Sequence, residues 1–166
     1  MQYSGLLSTF PLGIKIFIAS FVIILSIGFF TGLLFVNKTS SSSAAGIEEN
    51  YLGNEDDNNA AVMKFKKSER EMLTIVHTHI LSMSFIFFLL GILVWMTKMS
   101  DGLKLFLTVE PFFSVFLTFG GIYLLWTGML WMKYLVICSG VLMTLTFTVS
   151  AIVVLHNLTL KRTQTH

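Results

Sequence analysis

Four apolar runs, Ile16–Val36, Met72–Thr97, Leu105–Trp126 and Tyr134–Leu155, take up more than half of the 166 residues. At ~1.5 Å per residue, about 20 helical residues cross the roughly 30 Å hydrocarbon core of a bilayer. The first and last runs carry no charge. The breaks at 98–104 and around Thr127-Gly128 are short, which makes consecutive helices antiparallel neighbours. The fold expected is all-α: a membrane four-helix bundle of up-down-up-down topology. It forms one domain, with spans at about 16–36, 72–97, 105–126 and 134–155 and a polar extramembrane linker at 37–71.

Composition agrees with a bilayer environment. Hydrophobic residues make up 54% of the chain and charged residues 12%, far from the balance of a soluble domain. A net charge of +2 without a basic polar domain argues against nucleic-acid binding. The partners expected are the lipid bilayer and other membrane subunits or a second copy. Cys138, the single cysteine, supports neither a disulfide framework nor a cysteine-rich metal site and reads as a small buried packing residue. Phosphate-cradling loops, nucleophile elbows and His-Glu-x-x-His are absent, so no catalysis of the chain's own is expected.

The first run could be a signal peptide, with Ser43-Ala44-Ala45 as a small-residue cleavage site. Its 21 uncharged residues exceed a signal core of about 7–15, so it reads as a retained anchor. Beyond it, Asn37 to Ala45 is Ser-rich and reads as a mobile linker. Glu48, Glu49, Glu55, Asp56 and Asp57 are acidic, and Lys64, Lys66, Lys67 and Arg70 form a basic flank. Tyr51-Leu52-Gly53-Asn54 suits a turn against the bundle mouth. Lys and Arg near span ends number five on the side of the termini and six on the other, which leaves sidedness undecided. The long acidic linker suits the outer face and would place both termini in the cytoplasm.

Polar residues within the spans carry what functional signal there is. Histidine is scarce in hydrocarbon because both ring nitrogens need partners. Here His77 and His79 lie close together in the second span. Two residues apart on a helix, they point about 200° apart and cannot face one point. Arg70, His77, Ser84 and Gly91 recur every seven residues as a stripe of polar and small side chains, which makes His77 the inward candidate. His79 and Met83, four apart, share a face from which imidazole and thioether could approach one haem iron or copper. The plain alternative is that these histidines only bond to carbonyls, threonines or headgroups. His156 ends the fourth span on the opposite membrane side, too far from His77 to share an iron.

Glu110 precedes Pro111 in the third span. It is either an N-terminal cap of the helix or a buried carboxyl, with Lys15 and Lys104 on the same side as cationic partners. It could serve as an ion pair or in a proton pathway. Gly28 and Gly32, Gly120-Gly121, and Ser139, Gly140, Thr144, Thr148 and Ser150 suit close helix contact, and Trp95, Trp126 and Trp131 fit interfacial belts. Asn37 and Asn157 head Asn-x-Thr triplets that carry no assignment.

Gly46 to Glu55, Thr74 to Leu81 and Val109-Glu110-Pro111-Phe112-Phe113 together resemble a family of small bacterial four-span membrane proteins, from residue 46 onward. Some of its members carry an "elongation factor-1 alpha" label, for which this chain, lacking a GTP-binding motif, gives no ground. The resemblance implies a bacterial inner membrane location and one shared pattern of the Tyr51 loop, His77/His79 and Glu110-Pro111; it implies no catalysis. The functions to weigh are a haem b- or quinone-associated subunit of an electron-transfer assembly, a proton or ion transport accessory protein, and a structural anchor or assembly factor.

Overall fold

The apolar runs become helices because only a helix satisfies its own backbone in lipid. In the computed structural model, which describes residues 4–40, 43–55 and 62–160, they are α2 (Leu12–Ser40), α4 (Glu69–Trp95), α5 (Asp101–Trp126) and α6 (Met132–Thr159). Two shorter helices, α1 (Leu6–Thr9) and α3 (Ala44–Leu52), complete the described structure. Each long helix overruns its apolar run into polar residues, as helices that reach through the headgroup layer do. Lys161, Arg162, Asp56 and Asp57, used above in weighing charge, lie outside the described residues.

The four spans alternate in direction, and their cohesion is uneven. Helices α5 and α6 each bury eleven residues, α4 buries five, and the 29-residue α2 only Ile18, Val22, Phe29 and Ser40. The bundle is therefore a packed α4–α5–α6 unit with α2 laid against it. Phe29 of α2 stacks on Phe147 of α6 at 3.9 Å between ring centroids, and Phe87 of α4 meets both rings edge-on. Outward faces are apolar: Phe17, Phe35, Phe85, Phe113 and Phe116 are all more than 60% exposed, as contact with bilayer lipid requires.

Close approach of α5 to α6 depends on Gly121, where an added Cβ would stand 3.0 Å from Val136 Cγ2. Gly28 and Gly32 meet nothing within 4 Å, so that small-residue pair makes no helix contact within this chain.

Both ends are closed by polar contacts. At the terminal end, Gly5 N donates to Thr97 O and Leu7 N to Met96 O, seating α1 against the α4–α5 turn with Leu7 fully buried. Asn157 Oδ1 accepts from Lys98 N at 2.9 Å, tying the same turn to α6.

At the other end the described residues of the Ser-rich stretch, 37–40 and 43–45, belong to helices or their cap rather than to a mobile linker. α2 continues to Ser40, and Ser43 caps α3 by accepting from Gly46 N. Helix α3 stops at Gly53, whose φ of 84° and close approach to Lys66 N leave no room for a Cβ. The chain then pairs back, Asn54 N donating to Lys64 O and Lys67 N to Tyr51 O. Glu48 bonds Lys133 at 2.6 Å, and Trp126 Nε1 donates to Lys67 O, so α3 lies over the mouth of the bundle.

Candidate functional site

Helix α4 starts at a full capping box. Ser68 Oγ accepts from Glu71 N while the Glu71 carboxylate accepts from Ser68 N. This fixes the angular placement of the histidines. His77 and His79 point to different surroundings, as their spacing requires. The inward assignment of His77 is corrected, however: its ring is exposed on the outer face, and His79 packs against α5. Seven residues turn a helix about 20° short of two full turns, so the stripe drifts about 60° in three steps, from an exposed Arg70 to a buried Gly91.

His79 is half-buried, stacked on Phe119 with ring centroids 4.8 Å apart, and its Nδ1 lies 2.7 Å from Ile75 O. A carbonyl only accepts, so Nδ1 carries the proton and Nε2 is left as the basic nitrogen. Met83, one turn further on, is half-buried and packs against the core. Among the described residues no three His, Cys, Asp or Glu side chains come together to hold a metal.

Glu110 lies within the helix. α5 runs unbroken through Pro111, so the cap alternative is removed. Nine residues from the start of a 26-residue helix, Glu110 sits about 5 Å along the axis from its midpoint. Its Oε1 accepts from Ser114 Oγ, while Oε2 is buried and has no hydrogen-bond partner among the described residues. Pro111 has no N–H to offer the Leu107 carbonyl. The two proposed cations are engaged elsewhere. Lys15 Nζ donates to Leu160 O at 2.9 Å. Lys104, only 1% exposed, donates to Ser4 Oγ at 3.1 Å, stands 3.6 Å from Asp101 and lies over the Trp95 ring. The structure does not bring Lys15 and Glu110 together.

Around Glu110, α5 and α6 leave a groove of about 570 Å³ open toward the lipid-facing side. Phe106, Phe113, Leu117 and Leu142 supply apolar walls, and Glu110, Ser114 and Ser139 the polar floor. Cys138 is also on this wall; the buried-packing assignment is corrected, since its side chain is exposed. Beyond the floor, Thr118 and Ser139 join their hydroxyls at 2.7 Å. Sequence reasoning missed this groove because it is lined by residues of two helices together, α5 and α6. It also missed Asn157, whose one signal was a lone amide among apolar neighbours.

A packed helical membrane domain with a lipid-open groove and a carboxyl near its centre is the class that this geometry defines. The chain belongs to the Aq_1264_TM family of transmembrane helical domains, whose pattern it matches over residues 41–165. Comparisons with curated proteins and with solved structures found no match.

Proposed function

We propose that this chain is an accessory subunit of a membrane electron-transfer assembly that takes a lipid-soluble hydrogen-bond donor of the quinol type from the bilayer into the α5–α6 groove. The observation that carries the reading is Glu110, which lines that groove and whose buried Oε2 has no hydrogen-bond partner among the described residues. Leaving such a group unsatisfied costs about 1–3 kcal/mol, which a hydroxyl entering from lipid recovers. The apolar walls suit a ring and its tail, and the lateral opening suits a ligand that never leaves the membrane. In this role the chain sits in a bacterial inner membrane with both termini cytoplasmic.

The test is titration of a short-chain benzoquinol into detergent-purified protein by calorimetry. Glu110→Leu is expected to weaken binding about tenfold, the worth of one ~1.4 kcal/mol hydrogen bond. Equal affinity in the wild type and this variant would remove the reading.

A second reading has its own support. The Nδ1 bond to Ile75 O orients His79 as metal-bound histidines are oriented, with Nε2 left to ligate. If a haem b were held here, His79 would hold it through Nε2, with Met83 one turn away, and the haem would supply one-electron transfer. A reduced-minus-oxidised spectrum after expression with haem precursor tests it. A sharp α-band lost in His79→Ala but kept in His77→Ala is the expected result, and a flat spectrum from folded protein would dispose of it.

A further inference from the structure

The outer face of α4 carries polar groups that the chain itself leaves unused. Glu69, Arg70, Thr74 and His77 line an open cleft at the start of the helix. Among the described residues, the side chains of Glu69, Arg70 and His77 enter no ion pair or hydrogen bond, while Thr74 Oγ1 is spent on Arg70 O. Three neighbouring charges are engaged elsewhere. Glu71 is held in the capping box, Lys66 lies over the Trp126 ring and Lys64 pairs with Glu49. The Trp126 indole, bonded to Lys67 O, marks this level as the membrane interface.

Arg70, Thr74, His77, Leu81 and Phe85 fall within about a quarter of the helix circumference. His77 lies about 10 Å below Arg70 along the axis, and Leu81 and Phe85 continue the track, 51% and 68% exposed. The cleft holds the Glu69 carboxylate about 100° around the helix from Arg70, and the face itself offers, going inward, a guanidinium, an imidazole and then apolar side chains. A phospholipid standing in the leaflet presents the complement in the same order: a headgroup ammonium, a phosphate, ester carbonyls and acyl chains. The carboxylate beside the arginine separates this from a plain basic patch, which would take any anionic lipid.

We infer that this face binds an aminophospholipid from the surrounding leaflet. Its primary ammonium meets Glu69, its phosphate Arg70 and its glycerol esters His77. The guanidinium–phosphate contact supplies the strongest bond, and the ammonium–carboxylate contact the headgroup selectivity.

The test reconstitutes full-length protein in nanodiscs containing equal amounts of phosphatidylethanolamine, phosphatidylcholine and phosphatidylglycerol, and measures the lipids retained by native mass spectrometry. Phosphatidylethanolamine is expected to be retained about fivefold over each of the others. Glu69→Gln should abolish its advantage over phosphatidylcholine, and Arg70→Gln should reduce retention of all three. These exposed side chains have no structural partner among the described residues, and an unchanged helical circular dichroism spectrum checks that the variants fold. Equal retention of the three lipids by the wild type, a preference for phosphatidylglycerol, or a phosphatidylethanolamine preference that survives both substitutions would each overturn the inference.

Discussion

Thr118 Oγ1 and Ser139 Oγ stand 2.7 Å apart where α5 crosses α6, both side chains buried. Ser139 also bonds Leu135 O in its own helix, so the Thr118 contact is the one that links the two helices. Hydrogen bonds of this kind in membrane bundles are worth about 0.6 kcal/mol, reaching about 1.7. Thr118→Val is isosteric and should lower stability by that small amount. Thermal unfolding in detergent measures it, and a double cycle with Ser139→Ala should return a coupling of the same size.

Gly121 should be far less tolerant. A Cβ there meets Val136 Cγ2 at 3.0 Å, so Gly121→Ala should loosen the α5–α6 pair by about 1 kcal/mol. Val136→Ala removes the obstructing methyl and should recover most of the loss. Two independent, additive losses would mean that the helices do not meet at this point.

The Phe29–Phe147 stack predicts how α2 is held. Phe29→Ala should cost about 2–3 kcal/mol, from a lost ring and the cavity left behind. The loss should fall on α2 alone. Protease cleavage between α2 and α3 should accelerate, while contacts among α4, α5 and α6, followed by cross-linking of paired cysteines, should be unchanged.

Alkaline pH should release α3. Burial pushes the Tyr51 phenol above its ordinary value, partly offset by a hydrogen bond with Asn50. A raised folded-state pKa means that the neutral phenol is the docked form. Docking is therefore fully stable below about 10, the unfolded value, and weakens as pH rises through the higher folded value. Trp126 fluorescence followed against pH reports the release. Tyr51→Phe should remove that part of the transition, and a curve unchanged by the substitution would show that Tyr51 does not control docking.

The spans were legible because hydropathy over about 20 residues has few structural solutions in lipid. Their ends were less so. α2 begins at Leu12 and runs to Ser40, since a helix continues through Asn37 and Lys38 as long as its backbone bonds do. Helix α3 was hidden by its short length, although Ser43 at its start and Gly53 at its stop are ordinary helix signals. The position of Glu110 beside Pro111 drew attention to that residue, but the groove it lines depends on how two helices pack together, which one-dimensional periodicity does not encode. The histidines failed differently: a seven-residue stripe is a reliable guide over one or two turns and drifts off its face over a whole span.

The light attachment of α2 bears on how the chain is made. Of the four spans α2 is made first, before the α4–α5–α6 unit it lies against. Its long uncharged centre lets it settle in the bilayer unaccompanied, which a span resting on few contacts must be able to do. Helix α5 is in the reverse position. It brings Lys104 and Glu110 into the membrane and is third of the four spans to emerge. Lys104 finds its shelter in Ser4, which lies ahead of these four spans, so Ser4 is already in place when a charge made about a hundred residues later arrives.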